Sequence, residues 1–156
     1  MQGIHTMQIL KQKVLAYYKQ QTGDRIDAFR DMIAALTEDA SNDAKGSAGD
    51  KHETALSMMH LEQEKLNHKL KEFLDQKAIL DKINPEATAQ KVVLGSLVKA
   101  NAMYLFVSAA LPKITIDGTT VIALSPQSPL GIKMLGMETG GEFGVGTTKY
   151  VIEEIH

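Results

Sequence analysis

The chain has no cysteine, only four prolines and few aromatic residues, 5% of its 156. Without cysteine there is no disulfide framework, no thiolate nucleophile and no cysteine zinc site. Long apolar runs are missing too: none approaches the roughly 20 residues that cross a bilayer, and the N-terminus lacks the basic-then-apolar pattern of a signal peptide. A cytoplasmic protein with no membrane contact is expected. An excess of positive charge is also absent, since 17 Lys and Arg stand against 19 Asp and Glu. The formal net charge of -2 argues against a bulk electrostatic grip on nucleic acid, which needs a dense basic face. What is present, 44% hydrophobic and 23% charged residues, suits a folded chain of one ordinary domain or two small ones.

The charge is unevenly placed. Residues 1–87 hold 12 of the 17 basic and 14 of the 19 acidic residues, whereas residues 88–156 hold eight of the 12 glycines and three of the four prolines. Pro85 cannot continue a helix and disfavours helical geometry at Asn84, so a domain boundary is expected around Asn84 to Thr88. Ahead of it the pattern predicts two long helices. In the second, Glu53 to Ile83, the residues Leu56, Met59, Leu66, Leu70, Phe73 and Leu80 keep an alternating three-four spacing, with Gln63 and Lys77 at the remaining seam positions. The first carries Leu15, Tyr18, Ile26, Phe29, Ile33 and Leu36, with a phase shift around Thr22 and Gly23. Between them Glu38 to His52 is rich in Ala, Ser, Gly, Asn and Asp, which closes an antiparallel coiled-coil hairpin over 1–87 with a polar tip. At about 1.5 Å per residue the second helix would be about 45 Å long, a finger rather than part of a small globule.

Residues 88–156 alternate strand-like runs with turns. Lys91 to Ala100, Met103 to Ala110, Lys113 to Ile116, Thr119 to Leu124 and Lys149 to Ile155 are rich in Val, Ile, Leu, Tyr and Thr, and Asp117-Gly118 is a hairpin turn signal. They predict a compact antiparallel sheet. Ser128 followed by Pro129 reads as an N-cap and first helical position, giving one short helix to Leu135 that Gly136 ends. The fold class is therefore α+β, a helical hairpin followed by a small sheet domain.

Chemistry concentrates at the tip. Glu38, Asp39, Asp43, Asp50 and Glu53 face two lysines, Lys45 and Lys51, a net charge of minus three over sixteen residues. Asp50 and Glu53 are three apart at a helix start, where the macrodipole favours negative charge and this spacing shares a face. Such a pair can share a metal ion or position a water. It can equally be a capping box, with Asp50 as N-cap and Glu53 as its partner.

The segment Gly49-Asp50-Lys51-His52-Glu53-Thr54-Ala55 resembles the Gly-Asp-Leu-Lys-Glu-Asn-Ala tip of the bacterial Gre transcript-cleavage factors, matching at Gly49, Asp50, Glu53 and Ala55. A second stretch, Ser128-Pro129-Leu130-Gly131 with Leu135-Gly136 and a closing Tyr150-Val151-Ile152-Glu153-Glu154-Ile155, resembles the Gre C-terminal domain, as does Gly95-Ser96-Leu97-Val98. The resemblance covers nearly the whole chain. It implies a transcription elongation factor whose finger enters the secondary channel of bacterial RNA polymerase while an FKBP-like domain, residues 88–156, docks at the channel rim. It further implies that Asp50 helps hold the second catalytic Mg2+, shared with the polymerase and not stably bound by the factor alone, and that Glu53 orients the attacking water. The polymerase's own cleavage of backtracked RNA would be stimulated, so the chain is expected to be no free enzyme, to act as a monomer and to meet the nascent RNA 3' end only indirectly. Ser128, Pro129, Leu130, Gly131 and Leu135, with Ile132, are the candidate docking residues; they can equally bury the short helix against the sheet.

Departures from the family pattern at Lys51, His52, Thr54, Leu56 and Ser57, and the Gly46-Ser47-Ala48 approach, leave open a channel regulator that occupies the site without cleaving. A prolyl isomerase or chaperone is a third reading, opposed by the scarcity of aromatics in the C-terminal half, only Tyr104, Phe106, Phe143 and Tyr150. His52, His60 and His68 recur eight apart, too far along one helix for a single ion, and read with His5 and His156 as surface residues. Gly140 to Gly146 lacks the lysine and helix of a phosphate loop and reads as a hairpin loop. Met58 and Met59 read as core filler. Lys11, Lys13, Lys19 and Arg30 form a modest basic stripe on the first helix, a guide for RNA or simply a solvated face.

Overall fold

No proline interrupts the chain before Pro85, so nothing in its backbone forbids long helices there. The computed structural model has two, α1 over Gln2–Gly46 and α2 over Asp50–Asp81. It describes the backbone of residues 2–46 and 50–156, and the side chains of 6–39 and 53–156. The polar segment expected to form the whole tip is thus mostly helical. Alanines at 40 and 44 favour helix despite the polar neighbours. No helix among the described residues is long and apolar enough to cross a membrane.

After α2 come six strands and one short helix: β1 Leu97–Ala100, β2 Met103–Val107, β3 Ile114–Ile116, β4 Thr119–Leu124, α3 Pro129–Met134, β5 Glu142–Val145 and β6 Thr148–Ile155. They form one sheet in the order β3-β4-β2-β1-β6-β5. The expectation of an antiparallel sheet is corrected at one pair: β2 and β4 run parallel, with Tyr104 opposite Val121 and Val107 opposite Leu124. The cause is β3. Asp117 and Gly118, both at positive φ (50° and 78°), fold β4 back on β3, which leaves β4 pointing the same way as β2 when it fills the slot beside it. The glycine-rich stretch is also corrected, because Glu142–Val145 is a strand paired with β6 rather than a loop. Conversely, the run from Lys91 is strand only from Leu97, preceded by an isolated bridge from Lys91 to Glu138.

The sheet buries both faces, and successive residues on a strand serve opposite cores. Leu97, Phe106, Val121 and Ala123 join a cluster with Met7, Leu10, Val14, Leu15 and Tyr18 of α1 and with Leu80 and Ile83. Val98, Leu105, Val107, Leu124 and Ile152 join Met134 of α3 and Val92 in the other. Tyr18 is wholly buried, stacks on Phe106 with ring centroids 6.2 Å apart, and donates its O–H to Pro112 O at 2.6 Å. Burial, and then the neighbouring Tyr17, push its phenol up to about 12.

By packing, the chain divides into two compact units. One joins residues 1–19 to 78–156, and the other is the helical hairpin 20–77. The compositional break near Pro85 therefore falls inside the first unit: the sheet takes the start of α1 and the end of α2 to cover one of its apolar faces.

Candidate functional site

The hairpin is held in antiparallel register by a few contacts. Phe29 meets Phe73 edge to face at 5.1 Å, Arg25 and Lys69 lie over the Phe73 ring at 5.8 and 5.4 Å, and Gln63 Nε2 donates to Thr37 Oγ1 at 2.7 Å. Leu56, Met59, Gln63, Leu66 and Leu70 are half-buried along α2, and Phe73 is buried. Lys77 is exposed and Gln76 takes the half-buried position beside it, as expected when an ammonium costs more to desolvate than an amide. Met58 is 66% exposed and so is no core filler.

This register carries α2 back to its first turn, which begins at Asp50. Asp50 and Glu53 therefore lie one helical turn apart in the backbone, with Glu53 exposed and three residues before the half-buried Leu56. The side chains of Asp50, Lys51 and His52, and all of Gly49, lie outside the described residues. Among the described residues no group of three or more His, Asp or Glu is placed to hold a metal ion. The site residues at the hairpin end are thus a carboxylate pair by sequence position, with Glu53 the member whose exposure is described.

The second candidate region is α3. Ser128 is its N-cap (φ -67°, ψ 158°): the hydroxyl oxygen accepts from Gly131 N at 3.0 Å and the O–H donates to Ser125 O at 2.7 Å, with Pro129 opening the helix. Gly131 is buried where any Cβ would lie 2.2 Å from Ser125 O, so only glycine fits the backbone approach. The Ser-Pro-Leu-Gly motif thus has a local structural role. Its neighbours divide: Leu130 packs against the core with Met134, whereas Ile132 (62%) and Leu135 (41%) are exposed. Of the docking candidates, Ile132 and Leu135 are the large hydrophobic side chains that face solvent, and Pro129 is exposed beside them.

The basic stripe does not survive as a set. Lys19 and Arg30 are exposed, but Lys13 pairs with Asp117, and Lys11 is 4% exposed with its Nζ donating to Ala87 O at 2.7 Å. Desolvation lowers the Lys11 pKa. The signal was present in the sequence, because 7, 11, 14 and 18 keep the apolar four-three-four spacing and Lys11 occupies a core-facing slot. His156 likewise is buried, not a surface residue, with its backbone exchanging hydrogen bonds with Leu97 at 2.7 and 2.8 Å. Desolvation lowers its pKa, nearby Lys11 adds to that, and Glu154 opposes it. His60 and His68 are exposed, the latter 3.8 Å from Glu72. Two hollows adjoin these residues: a cleft of about 640 Å³ that includes Gln90, Glu138 and His156, and a cavity of about 270 Å³ that includes Lys11 and Ser96. A comparison with protein-family models finds none that matches the chain, and no curated protein matches it.

Proposed function

We propose that this protein is a Gre-type transcription elongation factor that enters the secondary channel of bacterial RNA polymerase and stimulates cleavage of backtracked RNA. The observation that carries the reading is the set Asp50, Glu53 and Ala55 in the first turns of α2, with Gly49 before it in sequence, within a chain whose second half carries the other Gre-like motif. In this reading the expected finger of residues 1–87 reduces to the hairpin 20–77, and residues 88–156, with the start of α1 and the end of α2 packed on their sheet, act as an FKBP-like docking domain. Asp50 adds a carboxylate oxygen to the weakly held second Mg2+ of the polymerase, and Glu53 orients the attacking water. Two carboxylates suit a hard cation that keeps its other ligands elsewhere, and raising the occupancy of that ion speeds a two-metal displacement. The protein supplies groups and the polymerase supplies the reaction centre. Ile132 and Leu135 are the docking contacts this reading favours.

A stalled, backtracked elongation complex with 5'-labelled RNA and Mg2+ tests it. Wild-type protein is expected to shorten the RNA from its 3' end, while Asp50→Ala and Glu53→Ala bind the polymerase and do not. The departures at Lys51 and His52 and the Gly46-Ser47-Ala48 approach favour one other reading, a channel regulator; block of elongation by wild type and both variants, with no shortening by any, would establish that reading instead.

A further inference from the structure

Apart from the hairpin end, the first unit contains a cavity of about 270 Å³ whose wall includes Lys11, Lys82, Ile83, Val93, Leu94 and Ser96. Two of these are polar side chains almost wholly removed from water, Lys11 at 4% and Ser96 at 2% exposure. Both have hydrogen-bond donors left over. Lys11 spends one of its three N–H groups on Ala87 O, a residue that also lines the cavity, and no carboxylate pairs with it among the described residues. Ser96 Oγ accepts from Val93 N at 3.0 Å, and its own O–H meets no acceptor among the described residues. A buried ammonium without a counter-charge is costly, and the depressed Lys11 pKa registers that cost. An anion is the ligand that relieves it.

The remaining wall selects which anion. Beside the polar Asn84 and Thr88 the wall carries an aliphatic patch, with Ile83 buried and Val93 and Leu94 exposing 45% and 40% of their surface, which a hydrocarbon tail would cover. The volume lies below the roughly 300–1,000 Å³ that holds drug-sized ligands, which favours a small acid over a nucleotide. Lys82 on the same wall is exposed and adds positive charge without crowding the interior. We propose that this cavity is a binding site for a short branched-chain carboxylate, with the carboxylate held by Lys11 Nζ and the Ser96 hydroxyl and the tail against Ile83, Val93 and Leu94. The site is independent of the transcription reading and shares no residue with the acidic hairpin end.

The test is an NMR titration of the full chain with sodium isovalerate, with its neutral isostere isovaleramide, and with inorganic phosphate. Isovalerate is expected to give saturable shifts at the Leu94, Gly95 and Ser96 amides and at Lys11 Nζ. Isovaleramide should bind about tenfold or more weakly, because it lacks the charge that strengthens both hydrogen bonds. Lys11→Met, which keeps the stem and removes the ammonium, should weaken isovalerate by a similar factor, and Ser96→Ala by several-fold. If Lys11→Met does not fold, the Nζ shift in wild type and the Ser96→Ala affinity carry the decision. Equal affinity for acid and amide, the absence of saturable shifts, unchanged affinity in a folded Lys11→Met, or a response to phosphate alone would each overturn the assignment.

Discussion

The two compact units bury their apolar residues to different depths. In the sheet unit Val14, Tyr18, Leu80, Leu97, Leu105, Phe106 and Met134 are fully inaccessible, because they lie in the two cores between the sheet and the helices that pack on its faces. Among the described residues of the hairpin only Thr22, Ile26 and Phe73 are buried, and the other apolar seam positions are half-exposed. Two helices alone give each seam residue one partner layer, with water on its flanks. The hairpin therefore gains less per residue from burial, and its sequence is freer to present charge at the end turn.

That contrast can be broken most severely in the sheet unit. Phe106→Ala removes the ring stacked on Tyr18 and should cost about 3–5 kcal/mol of global stability in urea unfolding. Gly131→Ala forces a Cβ against Ser125 O and should cost about 1–3 kcal/mol by overpacking, displacing α3 while the hairpin amides keep their hydrogen-exchange protection. Phe73→Ala is the matched cut in the hairpin. It should cost about 2 kcal/mol, less than Phe106→Ala because water reaches the flanks of the seam, with protection lost over residues 20–77 and kept in β1 and β2.

Two smaller effects sharpen the contrast. His156 has its folded pKa below the ordinary 6.5, so between those two values the unfolded chain binds more protons. Stability should therefore rise with pH through that window, be free of the penalty above it, and carry the full penalty below it; His156→Asn should flatten the urea midpoint over this range. The last test is a gain. Asn101 and Ala102 turn β1 into β2 with φ of 51° and 62°, a pair of positive values that suits Asn-Gly better than Asn-Ala. Ala102→Gly should raise the unfolding free energy by about 0.5–1 kcal/mol, read from the thermal midpoint.

Much of the secondary structure was legible because its causes are local. The seam of α2 is visible at Leu56, Met59, Leu66, Leu70 and Phe73, the β3–β4 turn at Asp117-Gly118, and the start of α3 at Ser128-Pro129. That Asp50 and Glu53 fall within one turn at a helix start was legible, since three-residue spacing is a local relation. The split of the docking candidates was not. Leu130 and Ile132 are equally apolar in sequence, and which one meets the core depends on how α3 lies against β5 and the sheet. The run Gly140 to Gly146 misled for a similar reason: glycine weakens a strand by itself, and pairing with Thr148–Ile155 outweighs that preference.

By itself the sequence determined that two long helices precede the sheet, where α3 is capped and where acidic charge gathers, because each follows from residues within a few positions of one another. Only the tertiary structure decided that β4 lies parallel beside β2, that residues 1–19 complete the core of a sheet some eighty residues further on, and that Lys11 and Ser96 share a cavity. Those outcomes depend on which distant apolar faces cover one another, and a hydrophobic face specifies that it must be covered without specifying by what.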